Sequence, residues 1–219
     1  MNTNTHKPHT DILRAILDEA SLEGHLKMIV GGLRRELGSE NAAMDLHVYD
    51  YERTLLTVVT IDFDGLLEFS LDQTITEHLV IAAPDHPILW PYVENHAELY
   101  FYSATKDPRQ LIADLHEAHS LAVLKWFPLD RFTNDLQPLH KLLAAANGCL
   151  AAGPLPLIRV YEGVLQAAAI KCSILESERP LKRSPEPGTS APVALLMGTS
   201  YFIARGLSKV QARNAERKS

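Results

Sequence analysis

The alternation of apolar and polar residues from 44 to 49 is the feature that most constrains the fold, because period two is typical of a half-buried strand. A β-branched run over 55–63 predicts a second strand. Asp64-Gly65 is the two-residue signal of a tight hairpin, here into a third strand over 66–71. The sequence therefore predicts a three-stranded antiparallel meander.

Helical spacing precedes and follows this meander. Three- and four-residue apolar steps over 11–37 predict an opening helix, or two helices with a bend because Gly31 and Gly32 weaken a helix. Similar steps cover 136–150 and 158–175, and each pattern fits a short coiled-coil seam or ordinary core packing. The predicted fold class is α+β.

The segment between these regions predicts a mixture of elements. A short helix is expected over 88–95, and alternation over 99–102 predicts a strand. Pro108 suits the first turn of a helix that runs to 119. The stretch SLAVLKWFPL (120–129) predicts one more strand, which Pro128 ends.

Composition indicates either one globular core or one core with a small appendage. The 219 residues are 46% hydrophobic and 22% charged, which suits a globular chain. No signal peptide or membrane span is recognisable, so we expect a cytoplasmic protein that makes no membrane contact. Cys149 and Cys172 lack disulfide or metal spacing, so we expect reduced thiols.

The predicted domains follow these patterns. We expect a disordered N-terminus over 1–10, one sensory domain over 11–177, a linker over 178–192 and a basic amphipathic tail over 193–219. The linker prediction rests on its Pro, Ser and charged residues.

Charge is unevenly distributed along the chain. The net charge is −6, yet eight basic residues face only two acidic ones after residue 178. On a helix, four-residue steps would place a basic stripe along the tail, formed by Arg205, Lys209, Arg213 and Arg217. This stripe is a candidate contact for a protein effector, and a solvated helix face is the alternative. We expect no specific nucleic-acid binding, because no helix-turn-helix is recognisable.

The order of elements over 10–177 resembles a GAF domain, the small-molecule-sensing fold of many bacterial regulators. The resemblance implies an antiparallel sheet flanked by helices, with a ligand pocket between them. The final hairpin that this fold requires is not recognisable after Pro128, where the sequence DRFTND (130–135) and a helical pattern follow.

The chain end is similar to another known arrangement. Leu196-Met197-Gly198-Thr199-Ser200 and the spaced apolar residues after it resemble the start of the AAA+ ATPase domain in sigma-54-dependent transcriptional activators. That domain contains a P-loop, and GxxxxGK[ST] occurs nowhere in this chain. The resemblance implies the sensor and linker of such an activator.

A ligand pocket needs apolar walls with a few polar groups. The candidate pocket residues are aromatic or His side chains, each of which ordinary packing also explains. They are His47, Tyr49, His78, Trp90, Tyr100, Tyr102 and Trp126.

Metal binding and catalysis have little support. His116 and His119 lie three apart, but zinc needs three or four ligands, so we expect no metal site, and the sequence identifies no cofactor. Gly198-Thr199-Ser200 lacks the last glycine of a nucleophile elbow, so we expect no enzyme activity. A hydrolase would require a His and an acid beside Ser200.

The sequence therefore favours a regulatory sensor that binds a small molecule or partner and signals through its closing helices to a transcriptional effector. We expect a homodimer. Its interface residues follow the second helical seam: Ile158, Tyr161, Leu165, Ala168, Cys172 and Leu175. The alternative is a structural adaptor, which a filled core with a broad exposed apolar patch would favour.

Overall fold

A computed structural model describes residues 9–22, 27–35, 38–50, 52–124, 126–134, 136–177 and 191–214. The chain divides into two compact units. We call Met1–Pro84 with Pro187–Ser219 the sheet unit, and Asp85–Glu186 the insert unit. The predicted domain over 11–177 is thus split between two units, and residues 178–190 of the predicted linker lie outside the described residues.

The elements are given in chain order. They are α1 (His9–Leu22), β1 (Lys27–Arg35), β2 (Ala42–Tyr49), β3 (Leu55–Ser70), β4 (Ile75–Thr76), β5 (Val80–Ile81), α2 (Trp90–Val93), β6 (His96–Phe101), α3 (Pro108–Val123), α4 (Leu139–Leu143), β7 (Gly148–Pro154), α5 (Leu155–Ala167), β8 (Cys172–Glu176), β9 (Val193–Met197) and β10 (Ser200–Asn214). Two 3-10 helices cover Pro87–Leu89 and Leu129–Arg131. The coarse prediction of an α+β fold is confirmed.

The sheet unit contains a seven-stranded antiparallel sheet in the order β4-β1-β2-β3-β10-β9-β5. Its edge strands β4 and β5 are joined through residues 77–79 alone. Four residue steps span at most about 14 Å, so the sheet must curl to bring its edges this close.

The inner face of this sheet forms the core of the unit. Alternate residues of β2, which are Ala42, Met44, Leu46 and Val48, are buried, as the alternation predicts. Leu13 of α1 is fully buried in the same cluster, so α1 packs onto this apolar face.

Two predictions about the first half of the chain are wrong. β3 continues through Asp64 and Gly65 without a hairpin, because β10 pairs with it on both sides of that point. Residues 27–35 form a strand rather than a helix. A bulge between Val30 and Gly32 lengthens the spacing of the core-facing residues from two to three, between Val30 and Leu33. A three-residue spacing of apolar residues is also typical of a helix.

The C-terminal prediction is also wrong, because the expected amphipathic helix is the strand β10. Gly198 and Thr199 form the two-residue turn between β9 and β10, and Gly198 has the positive φ of 62° that such a hairpin turn needs. A bulge in β10 between Leu207 and Lys209 again breaks the period of two. The helix implied by the sigma-54 activator resemblance is therefore a strand in the described residues.

The insert unit contains a three-stranded antiparallel sheet, β7-β6-β8, together with α2, α3, α4 and α5. The predicted start of α3 at Pro108 is confirmed, and the Asp107 carboxylate caps this helix by accepting from the Arg109 and Gln110 amides. The strand β6 is confirmed at His96–Phe101.

Three other predictions fail in the insert unit. Residues 120–123 of the expected strand belong to α3, which ends where Leu124 adopts a positive φ, and Leu129 begins a 3-10 helix. The first helical seam is divided between α4 and β7, and the second between α5 and β8. Ala169, with φ 57°, reverses the chain after α5, so the residues that follow enter the sheet.

In the part of the chain that the structure describes, no helix is both long and apolar enough to cross a membrane.

Candidate functional site

The seven predicted pocket residues do not form one site. His47, Tyr49 and His78 belong to the sheet unit, and His78 is exposed between β4 and β5. Trp90, Tyr100, Tyr102 and Trp126 belong to the insert unit.

His47 and Tyr49 lie on the outer face of β2, with their rings 6.5 Å apart. The His47 imidazole lies over Gly31, where a Cβ would come within 2.5 Å of its Nε2 atom. Beside them, both guanidinium Nη atoms of Arg34 donate to the Asp45 carboxylate, and Thr60 Oγ1 also donates to it over 2.8 Å. The hydrogen bond from Arg34 lowers the pKa of Asp45. In the described residues, this face is a half-buried polar network.

Tyr100 and Tyr102 lie on the outer face of the insert sheet. The Tyr100 hydroxyl donates to the Glu98 carboxylate over 2.6 Å, and this bond raises the pKa of Tyr100 to about 12. The Tyr102 hydroxyl lies 2.6 Å from Ser173 Oγ, and Tyr102 is 55% exposed.

The two tryptophans are half-buried. Trp126 packs edge-on against His86, with ring centroids 5.9 Å apart, and burial lowers the pKa of His86. Trp90 begins α2.

A cleft of about 630 Å³ opens instead between α3 and the segment 128–139 of the insert unit. Its polar lining residues are His116, Asp130, Thr133, Asn134 and Gln137. Its apolar lining residues are Pro128, Leu129, Leu136, Leu139 and Pro138. A volume between about 300 and 1,000 Å³ with this mixed lining is typical of small-molecule sites.

The lining segment is fixed to β7 by backbone bonds. The Ala152 amide donates to the Phe132 carbonyl over 2.8 Å, and the Asn134 amide donates to the Leu150 carbonyl over 2.9 Å. The Asn134 side chain donates to the Cys149 carbonyl and accepts from the Leu136 amide. Both the backbone and the side chain of Asn134 are therefore held in place, so this wall of the cleft is preformed.

A buried His–Tyr pair joins the same wall to two helices. His119, on α3, is 3% exposed and lies one helical turn after His116. Its Nε2 atom is 2.7 Å from the Phe127 carbonyl, and its Nδ1 atom is 2.6 Å from the hydroxyl of Tyr161 on α5. A carbonyl only accepts, so Nε2 carries the proton and Nδ1 accepts from Tyr161.

Burial lowers the pKa of His119 and raises the pKa of Tyr161. Both groups are therefore neutral near pH 7, and the pair is a fully satisfied polar contact between α3, α5 and the cleft wall. Phe127 immediately precedes the lining residues Pro128 and Leu129.

The predicted basic stripe is wrong, because β10 is a strand. Arg205 pairs with Glu40 over 2.6 Å, and Arg213 donates to Thr60 Oγ1 over 3.4 Å. Lys209 is exposed opposite Asp62 on β3. Arg217 lies outside the described residues.

The predicted interface residues do not share a helix. Ile158, Tyr161 and Leu165 are fully buried on α5, inside the core of their own unit. Ala168 caps that helix, whereas Cys172 and Leu175 belong to β8.

Ser200 is fully buried in the sheet unit. Its Oγ donates to the Gln73 carbonyl over 2.9 Å and accepts from the Gln73 amide over 2.8 Å. The hydroxyl therefore holds the loop before β4, and its described contacts are not those of an activated nucleophile.

Within the described ranges, no group of three or more His, Cys, Asp or Glu residues is arranged to hold a metal ion. His119 uses both of its ring nitrogens in the contacts given above.

Sequence reasoning missed the cleft residues other than His116. A signal was present, since DRFTNDLQ is a polar segment between Pro128 and Pro138, and loops held by a rigid scaffold commonly carry function.

Comparisons of the chain with protein-family models, with curated proteins and with solved structures found no match.

Proposed function

We propose that this protein is a regulatory sensor that binds a small molecule in the cleft beside α3. The observation that carries the proposal is the preformed cleft itself, about 630 Å³ in volume, with one wall fixed to β7 and tied to α3 by His119. A preformed site avoids the free-energy cost of ordering a loop when the ligand binds.

The lining indicates the chemistry of the ligand. Asp130 and Gln137 offer hydrogen-bond acceptors near His116, while Leu129 and Leu139 supply apolar surface. A small polar organic molecule with an apolar portion fits such a mixture.

The proposed signal route is the His119–Tyr161 contact. A ligand that contacts Pro128 or Leu129 acts within two residues of the Phe127 carbonyl, which accepts the hydrogen bond from His119. Tyr161 would transmit the change to α5. The ligand then shifts the population between two packings of α3 against α5.

Native mass spectrometry of the protein as purified from cells tests this proposal. We expect a defined additional mass on the wild-type chain. Gln137→Trp would place an indole at the cleft mouth from an exposed position, and the additional mass should then be lost.

Leu121→Trp is the matched control, because Leu121 is 73% exposed on α3 and does not line the cleft. It should keep the additional mass. A wild-type chain without bound mass, or equal retention by both variants, would count against the cleft as the ligand site.

The adaptor alternative is favoured by a different observation. Leu121 and Leu124 are 73% and 57% exposed at the end of α3, and exposed apolar side chains favour protein contacts. An apo protein that binds one defined partner, with loss of binding on Leu121→Lys, would support the adaptor.

The wider setting also remains a proposal. The GAF-like assignment, the cytoplasmic location, the transcriptional effector and the absence of catalysis stay predictions from the sequence. The exposed Lys209 on β10 is the part of the basic tail that we propose for effector contact.

A further inference from the structure

One edge of the insert sheet lacks a partner strand in the described part of the chain. The sheet order is β7-β6-β8, so β7 and β8 are its edges. Residues 132–134 cover the edge of β7, through the bonds to Leu150 and Ala152 given above. Within the described ranges, β8 pairs with β6 only.

The backbone bonds show which groups of β8 face outward. The Tyr102 amide donates to the Lys171 carbonyl, and the Ser177 amide donates to the His96 carbonyl. Hydrogen-bonded pairs alternate along an antiparallel ladder. The N–H and C=O groups of Cys172, Ile174 and Glu176 therefore point away from β6.

Among the features that normally prevent pairing, this edge has the charge of Glu176 but lacks a proline, a lysine and a shortened strand. The edges of the sheet in the sheet unit, β4 and β5, are only two residues long, whereas β8 has five. Its sequence CSILE contains no Pro or Lys, and Leu175 is 61% exposed. Natural edge strands are usually shortened, charged or interrupted by proline.

We propose that β8 pairs antiparallel with β8 of a second copy of this chain, forming one six-stranded sheet across a two-fold axis. A strand edge is complementary to itself in this orientation. Pairing centred on Ile174 joins all three outward residues, with Cys172 opposite Glu176 of the second copy.

The side chains are compatible with this arrangement. The single charge of β8 is at Glu176, so in this register the two Glu176 carboxylates lie at opposite ends of the paired strands. Leu175 comes opposite Ser173 of the second copy, on the face where Tyr102 contacts Ser173. Pairing thus covers the exposed Leu175 and the neutral hydroxyls of Ser173 and Tyr102, and it places no like charges in contact.

A five-residue edge buries less than the roughly 1,200 Å² of a standard stable interface, so we expect a weak, concentration-dependent dimer. This inference does not rest on the cleft, since none of the cleft residues belongs to β8.

Sedimentation equilibrium of the full chain over a concentration series tests the proposal. Ile174→Pro removes an outward N–H without removing a hydrogen bond to β6. Leu175→Lys adds a charge at an exposed position. Each should weaken the dimer at least about tenfold, a difference of about 1.4 kcal/mol.

Leu121→Lys is the control, because it changes a leucine elsewhere that is even more exposed than Leu175, and it should leave the dimer constant unchanged. Circular dichroism checks that each variant is folded. If Ile174→Pro does not fold, the result for Leu175→Lys alone tests the proposal. A monomer at all concentrations overturns the proposal, as does a dimer that Leu175→Lys leaves intact. Gln137→Trp should leave the dimer unchanged, which separates this test from that of the cleft.

Discussion

The two units differ in the polar groups that they bury, since the sheet unit buries the hydroxyls of Thr76 and Ser200 whereas the insert unit buries the imidazole of His119. The sheet unit fills its curled sheet with apolar side chains and keeps the Arg34–Asp45 pair on its outer face. The insert unit buries a titratable pair, His119 and Tyr161, at the centre of its helix contacts. An apolar core stabilises one packing, whereas a buried polar pair holds only while its hydrogen bonds remain satisfied, and this difference suits a unit that responds to a ligand.

The tryptophans make this comparison measurable. Both tryptophans of the chain, Trp90 and Trp126, belong to the insert unit. Tryptophan fluorescence therefore reports unfolding of the insert unit, and hydrogen exchange read by mass spectrometry reports both units.

The largest expected effect is in the sheet unit. Phe202 is fully buried and stacks on Phe63, with ring centroids 5.6 Å apart. Phe202→Ala should lower the free energy of unfolding by about 3–5 kcal/mol, through lost transfer energy and a cavity. Phe69→Ala is the matched control, since Phe69 is 45% exposed, and hydrogen exchange should show a much smaller change. Equal effects would contradict the assignment of the inner face.

A smaller effect is expected from the buried pair. Tyr161→Phe removes the hydroxyl that donates to His119 Nδ1 and leaves a buried acceptor without its partner. We expect a loss of about 1–3 kcal/mol in urea unfolding followed by tryptophan fluorescence. Tyr100→Phe should cost less, because its partner Glu98 remains open to water. A neutral Tyr161→Phe variant would show that the pair does not hold α3 to α5.

Ser200→Ala removes one hydroxyl and its two hydrogen bonds to the backbone of Gln73. Water can then bind the freed backbone groups of Gln73, so we expect the sheet unit to lose only about 1 kcal/mol of stability. Activity on a panel of ester substrates should be the same for wild type and variant. A drop in ester hydrolysis in the variant would instead revive the hydrolase alternative.

The smallest expected effect is a difference in pH dependence between the units. Burial lowers the pKa values of His119 and His86 from 6.5, so below pH 6.5 the unfolded insert unit binds protons that the folded unit does not. Its stability should therefore fall as the pH drops from 6.5 through the folded pKa values. The pKa of Asp45 is lowered from 3.8, so its contribution to the sheet unit is lost only below that pH.

Urea unfolding followed by tryptophan fluorescence between pH 7 and pH 5 measures how the stability of the insert unit depends on pH. His86→Asn keeps an acceptor for the Ile88 amide and removes one titrating group, so the remaining slope reports His119. A flat profile in that variant would assign the effect to His86.

The local pattern predicted some elements and failed at others for a common reason. Residues 44–49 alternate without interruption, so their inner and outer faces could be predicted. In β10 the residues of the core cluster are Phe202, Ala204, Leu207 and Val210. The bulge between Leu207 and Lys209 lengthens the step from Leu207 to Val210 from two residues to three. The same step occurs on a helix, so the pattern alone could not distinguish them.

The sequence by itself determined the α+β class, the strand at 44–49 and the start of α3. Each of the two local signals, alternation along a strand and a proline in the first turn of a helix, depends on only a few neighbouring residues. Only the tertiary structure decided the cleft and the His119–Tyr161 pair, whose members are 42 residues apart. It also decided that Cys172–Glu176 is an edge strand rather than a continuation of α5, because the hydrogen bonds that hold this segment come from β6. Contacts between distant residues depend on how the whole unit packs, and no short pattern contains that information.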